Sequence, residues 1–288
     1  MIDRKLTGAA PKTRIPKGAI DTQMHMYLPG YAWRADGKGV PSDPLPTPDM
    51  YRQVMAWLGL DGVVITQGNG HGMDNASLMA CLEQMGESAR GVAVIDADTT
   101  DAQVEQLSAG GVVGARIMDL PGGAVGLDQL ERVDARAHAA GWMIAVQFDG
   151  SALPELEPRL ARLQSNWVLD HHGKIFDGIT PAHVDVVKRL LDGGKMHFKL
   201  AGCYEADPAD GPQYPRIGAM ARQLADHAPD RIIWGTNWPH NAFSRTQDYV
   251  DDAVLLDLAM GWLADDDARQ KALVDTPRAL YGFPKQIG

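Results

Sequence analysis

The chain has 288 residues, 45% of them hydrophobic, and a formal net charge of −10. That length suits one α/β barrel of about 250 residues, which buries roughly three quarters of its unfolded surface and needs neither disulfide nor structural metal to fold. An acidic balance without a basic stripe excludes a nucleic-acid surface, and no stretch approaches the roughly 18 apolar residues of a membrane span.

Residues 1–17 read as an N-terminal extension lacking the apolar core of a signal peptide. Cys81 and Cys203 are the two cysteines, with no metal-like spacing, so the expected setting is the reducing cytoplasm. From residue 18 onward, short β-rich apolar runs alternate with amphipathic stretches. The predicted strands are 18–25, 62–67, 91–97, 112–118, 142–148, 167–172, 197–201 and 231–237. The predicted helices between them are 49–58, 75–88, 101–109, 128–140, 154–163, 181–191 and 215–227. Several open on Asp, Asn or Thr, or carry Pro in the first turn, and Gly59, Gly110, Gly141 and Gly193 follow helix ends.

Eight such units predict a closed (β/α)8 TIM barrel spanning 1–288 as one domain. An open doubly wound sheet would want a GxGxxG turn after the first strand, and "QMHMYLPG" is not one. Residues 29–48, rich in Gly, Pro and Asp, follow the first strand and form a candidate mouth loop. A helical pattern at 248–263 and the segment "DDARQKALVDTPRALYGF" close the chain.

Barrel chemistry sits at the C-terminal ends of the strands. In order, those ends carry Gln23 and His25; Gln67, Asn69 and His71; Asp96; Arg116 and Asp119; Gln147 and Asp149; His171 and His172; Lys199; and Asn237 with His240. Gln23 and His25 alternate, so both project to one side of their strand. His171 and His172 are adjacent and point to opposite faces. Arg116 and Lys199 are cations on strands that otherwise read as buried, a placement that demands a partner. Either they pair internally with Asp96 or Asp119, or they form a site for a substrate carboxylate, which Arg grips bidentately. The anion site is the reading adopted here.

The motifs "DTQMH" (Asp21–His25), "DHHG" (Asp170–Gly173), "FKLAG" (Phe198–Gly202), "GTNWP" (Gly235–Pro239) and "TPRALYGF" (Thr276–Phe283) occur in the order found in the amidohydrolase superfamily. The chain resembles its 2-pyrone-4,6-dicarboxylate lactonase-like group over nearly its whole length. The resemblance implies metal-independent interconversion of the six-membered and five-membered lactones of galactaric acid, in uronic acid catabolism. Two departures from the superfamily pattern stand out. Gln23 replaces a metal-ligand histidine, and Asn237 replaces the aspartate that binds metal or activates water. An amide is a poor zinc ligand and cannot act as a general base.

No cofactor and no metal are therefore expected, and the expected partner is a sugar-acid lactone bound by a monomer or small homo-oligomer. The substrate supplies its own nucleophile, a ring hydroxyl, and intramolecular attack carries effective molarities of about 10⁵ M or more. His171 or His240 is expected as base and acid, with His25 near the carbonyl. Gln23 and Asn237 would give neutral hydrogen bonds, Arg116 and Lys199 would hold the carboxylate, and Asn69, Gln147 and Tyr204 would read hydroxyls. The alternatives are a hydrolase for a dicarboxylate lactone and a barrel that binds without catalysis.

Overall fold

The computed structural model describes residues 1–284, so the last four positions of the expected 1–288 domain lie outside the described residues. Eight strands run in chain order around one sheet: β1 (Ile20–Met24), β2 (Gly62–Thr66), β3 (Ala89–Ala93), β4 (Val112–Asp119), β5 (Met143–Phe148), β6 (Trp167–Leu169), β7 (Met196–Leu200) and β8 (Ile232–Trp234). Every neighbouring pair is parallel. The segment after β8 closes the ring onto β1, with Asn237 N donating to Gln23 O at 2.7 Å and His25 N to Trp238 O at 2.8 Å. The TIM barrel expected from the sequence is the fold observed.

Period-two alternation sorts the strand residues into two cores. Val63, Ile65, Ala115, Ile117, Ile144, Val146, Phe198 and Leu200 face outward and pack with the helices. Ile20, Val64, Val92, Ala145, Val168 and Ile233 fill the interior, together with Tyr281 and Phe283 from the end of the chain. Local chemistry sets several boundaries. Helix α1 (Pro48–Leu58) starts at Thr47, whose side chain accepts from Met50 N, and stops at Gly59, which takes the left-handed conformation at φ 75°. Helix α3 (Asp101–Ala109) opens on a capping box between Thr100 and Gln103.

Strands β6 and β8 are shorter than expected. His171, His172 and Lys174 have φ of 50°, 55° and 44°, and Asn237 and His240 have φ of 63° and 56°. The chain turns sharply there, and side chains that would have alternated along a strand are brought round over the barrel mouth. The 248–263 expectation contracts to a helix at Asp252–Met260. The 1–17 extension lies on the outside. Lys12 N and Thr13 N donate to Asp257, and the Arg4 guanidinium holds the carbonyls of Ser42 and Pro44 at the base of the mouth loop. That loop reaches over the strand ends, with Arg34 N donating to Gly70 O at 2.8 Å and Arg34 Nη1 to Gly122 O at 2.6 Å. Among the described residues no helix is long and apolar enough to cross a membrane.

Candidate active site

The site begins with an irregularity in β1. Asp21 pairs with Val63 and Met24 with Ile65, so Thr22 and Gln23 together oppose the single residue Val64. This is a β-bulge, which re-aims side chains. Before it, Ile20 points into the barrel; after it, Met24 faces the helices and the odd-numbered Gln23 and His25 face the interior. Gly235, directly after β8, permits the bulge, since a Cβ there would lie 2.6 Å from Gln23 Cβ. Asp21 points outward and is fully buried. It accepts from Gln23 N at 2.8 Å, from Thr236 N at 3.0 Å and from the Thr236 and Tyr51 hydroxyls. Its role is to fix the bulge.

Gln23 Oε1 accepts from Lys199 Nζ at 2.9 Å and from Thr66 Oγ1 at 3.2 Å, which leaves Nε2 as a buried amide without a partner. Lys199 is 1% exposed, and its Nζ lies 2.6 Å from Asp170 Oδ1. The two form an ion pair by distance, although neither Asp170 oxygen has a hydrogen bond of ordinary angle. Burial pulls the ammonium's pKa down, opposed by Asp170. An amide oxygen and a carboxylate thus converge on a resident cation. Among the described residues no group of three or more His, Cys, Asp or Glu side chains is arranged to hold a metal ion. The donor set does not fit a zinc centre, which takes three protein ligands of those types.

Arg116 on β4 is 4% exposed and, among the described residues, has no carboxylate partner. Nη1 donates to Gln67 O at 3.0 Å and to Asn69 Oδ1 at 2.9 Å, while Nη2 donates to Gln147 Oε1 at 3.0 Å and faces Met118 Sδ at 3.3 Å. Nε is buried with no partner. Neutral oxygens therefore orient the guanidinium without cancelling its charge. Burial pulls its pKa below the ordinary value.

His25 Nδ1 lies 2.8 Å from Thr66 O, an acceptor only, so the ring donates there and Nε2 is left as a lone pair. Burial and the nearby Arg116 push its pKa down to about 4, and it is neutral at physiological pH. His171 is 2% exposed, with Nδ1 3.3 Å from Ala201 O. Burial, then Lys174, Lys199 and Arg116, hold its pKa well below the usual value. Gly202, at φ 62°, lets His171 and Asn237 approach: a Cβ there would sit 2.9 Å from His171 Nδ1 and 3.0 Å from Asn237 Nδ2.

Asn237 Nδ2 donates to Tyr204 Oη at 2.8 Å and to Glu205 Oε1 at 2.9 Å. Both acceptors sit on a one-turn helix, α7 (Cys203–Ala206), directly after β7. Glu205 Oε2 pairs with Lys174 Nζ at 2.8 Å. Burial alone would raise the Glu205 carboxyl; Lys174 and Asn237 hold it below the usual carboxylate range. Behind this group stands His240, with Nδ1 2.7 Å from Tyr204 Oη and Nε2 3.0 Å from Asp252 Oδ1.

Gln23, His25, Arg116, Asn69, Gln147, His171, Lys199, Tyr204 and Asn237 all lie at or just past the strand ends, in neighbouring hydrogen-bonded groups and not in one network. Two expectations change. Lys199 is spent on Asp170 and Gln23, so it is not free to hold a substrate carboxylate; Arg116 alone keeps that capacity. His240 does not line the mouth directly: it is 0% exposed, with both ring nitrogens engaged. Asp96 closes its own turn through Thr99, and neither it nor Asp119 pairs with a site cation. His71 lies under the mouth loop, stacked on Trp33 with ring centroids 4.3 Å apart. Residues without a role from sequence are Glu205, Lys174, Asp170 and Asp252. Three are charged groups just past strand ends, a signal that could have flagged them; Asp252, on a later helix, had none. A surface cleft of about 840 Å³ lies elsewhere, between α3 and the following helix around Val104 and Arg136. Converging charge and displaced imidazole pKa values, not volume, locate the site.

A (β/α)8 barrel with this polar mouth, and with an amidohydrolase family profile matching residues 20–283, places the chain in the amidohydrolase family. It is 53% identical over 280 residues to D-galactarolactone isomerase of Agrobacterium fabrum, covering 96% of each chain. It is 27% identical to a 2-pyrone-4,6-dicarboxylate hydrolase of Comamonas testosteroni, over 96% of this chain and 94% of that one. A crystal structure of an Agrobacterium tumefaciens protein in its apo form superposes with a TM-score of 0.95 at 52% identity, covering 98% of this chain and 100% of that one.

Proposed function

We propose that this cytoplasmic enzyme converts D-galactaro-1,5-lactone to D-galactaro-1,4-lactone by intramolecular acyl transfer, without a metal. The observation that carries the reading is the Lys199 ammonium held between Gln23 Oε1 and Asp170 Oδ1. Two side chains that could have faced a metal hold a fixed ammonium instead. Asn237, for its part, is an amide that donates its hydrogens and cannot take a proton from water. The similarity to the Agrobacterium isomerase supplies the substrate class.

The Arg116 guanidinium receives the substrate carboxylate at the edge formed by Nε, which has no partner, and Nη2, which meets Gln147 Oε1 and the weak acceptor Met118 Sδ. Gln23 Nε2 is an unpartnered donor at the barrel axis, suited to the oxygen that becomes negative as the carbonyl is attacked. His25 Nε2, kept as a lone pair, accepts from a substrate hydroxyl, and His171 lies just past β6, packed with Asn237 around Gly202. Asn69, Gln147 and Tyr204 complete the polar wall. Attack by the ring hydroxyl at C4 on the lactone carbonyl needs no activated water, and a water-activating group would yield open diacid instead.

The test is a proton NMR time course of chelator-treated protein with the six-membered lactone in ¹⁸O-water, with mass analysis of the product. The expected product is five-membered lactone without ¹⁸O. Open diacid would replace this reading with lactone hydrolysis, and a strict requirement for added zinc would overturn the metal-free part.

A further inference from the structure

Tyr204, His240 and Asp252 form a hydrogen-bonded chain, of which the roles above use only Tyr204, as part of the polar wall. Asp252 Oδ1 lies 3.0 Å from His240 Nε2, and His240 Nδ1 lies 2.7 Å from Tyr204 Oη. His240 is 0% and Asp252 1% exposed. A buried carboxylate beside an imidazole is an acceptor only, which puts the ring proton on Nε2. Nδ1 of the neutral ring is then an acceptor, and the Tyr204 hydroxyl donates to it. The Tyr204 oxygen has two lone pairs. Asn237 Nδ2 fills one at 2.8 Å, and the other is left for a group arriving at the mouth. The His240 ring is fixed edge-on between Tyr204 and Tyr249, with interplanar angles of 70° and 77°. Base, orienting carboxylate and hydroxyl thus have the arrangement of a nucleophile-activating triad, but the hydroxyl is a phenol.

We propose that Tyr204 is the catalytic proton carrier of the isomerisation, and that His240 and Asp252 are positioning residues that act through it. This rests on the lactone-isomerase reading. As the C4 oxygen bonds to the carbonyl carbon, its proton passes to the Tyr204 oxygen and the phenolic proton passes to His240 Nδ1. The carbonyl π pair becomes the oxyanion, and Asp252 balances the imidazolium. When the oxyanion re-forms the carbonyl, the bond from that carbon to the C5 oxygen breaks. The departing oxygen takes its proton from Tyr204, which recovers one from His240. The two oxygens stand on adjacent carbons and share one carbonyl carbon in the intermediate, so a single carrier reaches both. The inner members are sealed from solvent, which suits a reaction that neither consumes nor releases a proton.

Burial holds the Tyr204 phenol well above its ordinary pKa, so the hydroxyl remains protonated and conducts protons in place of acting as phenolate. The other groups around it are Glu205, already tied to Lys174 and Asn237, and the ring of Phe243.

The experiment is a double-mutant cycle on kcat and KM for the six-membered lactone, with Tyr204→Phe, His240→Asn and the pair. Wild type is assayed first: if it forms no five-membered lactone, the functional reading fails and the relay with it. Given wild-type isomerisation, Tyr204→Phe should lower kcat by about 10²–10⁴-fold, as loss of general acid–base catalysis does, with KM within about threefold. Adding His240→Asn to Tyr204→Phe should then cost no further activity, because His240 acts only through the missing hydroxyl. Tyr204→Phe with kcat within about threefold of wild type, or effects that multiply in the pair, would overturn the relay while leaving the isomerase reading intact. If His240→Asn does not fold, the proton inventory of kcat in H2O–D2O mixtures decides. A bowed plot for wild type that straightens in Tyr204→Phe supports two protons in flight; a straight plot for wild type refutes it.

Discussion

Lys199 Nζ bridges Gln23 Oε1 at 2.9 Å and Asp170 Oδ1 at 2.6 Å, in a setting where all three side chains are closed off from solvent. A cation so placed does two jobs at once. It neutralises Asp170, and it turns the Gln23 amide so that its NH2 group, not its oxygen, is offered to the barrel axis.

Lys199→Met removes one partner of that pair and strands Asp170 as an uncompensated buried carboxylate. Such a change costs about 3–5 kcal/mol of stability. Equilibrium denaturation should show a midpoint lowered by an amount of that order. The double variant Lys199→Met with Asp170→Leu should recover much of the loss. Equal stability of Lys199→Met and wild type would mean the pair is hydrated and the site more open than described.

Arg116 is held by neutral oxygens alone, so its charge is available to an anion. Arg116→Gln should weaken binding of the lactone acid by about 10²-fold, in line with about 1.5–3 kcal/mol for a hydrogen bond to a charged group. It should change the affinity of the corresponding uncharged amide far less. Arg116→Lys should rescue poorly, because an ammonium cannot satisfy the oxygens of Gln67, Asn69 and Gln147 and also present a side-on edge. Competition by galactarate and by its diamide, measured against each variant, checks this. Parallel losses for both inhibitors would place the carboxylate elsewhere.

His172 makes the acid sensitivity of the fold testable away from the chemistry. Its ring lies edge-on to Phe198 and Trp262, and burial pushes its pKa down to about 3. A folded-state pKa below the unfolded value of about 6.5 means that the unfolded chain binds a proton first as pH falls. The stability contribution is complete above pH 6.5 and is lost progressively toward pH 3, at up to about 1.4 kcal/mol per pH unit. His25 and His197, each near 4, add to the same slope. His172→Leu should flatten the dependence of unfolding free energy on pH between 6.5 and 4.5 by about one proton. An unchanged slope would show that this imidazole is charged in the native state.

The parts of this molecule set by neighbours in sequence were legible, and those set by distant partners were not. Helix α3 and the helix Pro215–His227 begin and end where their caps and prolines predict, because capping is decided within a turn. The substitutions at Gln23 and Asn237 were equally visible, since amide chemistry follows from residue type. The charge of Lys199 and its need for a partner could be read, with Asp96 or Asp119 as the candidates, but not that the partner is Asp170, which follows β6. His240 looked like a mouth residue in a loop, and only a carboxylate twelve positions later, folded back by α9 (Asp252–Met260), draws it inside. Glu205 carried only the weak signal of a charge past a strand end, and its place in the site is set by Lys174 and Asn237, which converge on it from other loops.

The bulge in β1 sets a parity for the whole mouth. With Thr22 and Gln23 opposing one residue of β2, the odd-numbered positions of the strand's end look inward. Straightening the bulge at unchanged chain length would slip the strand's end by one position, swing the amide and the imidazole into the helical layer and bring Met24 to the axis. No other strand would have to move. Deleting Thr22 would instead leave Gln23 opposite Val64 and Met24 opposite Ile65, and the inward set would be kept. The mouth therefore depends on the pairing of Met24 with Ile65, not on the number of residues that precede it.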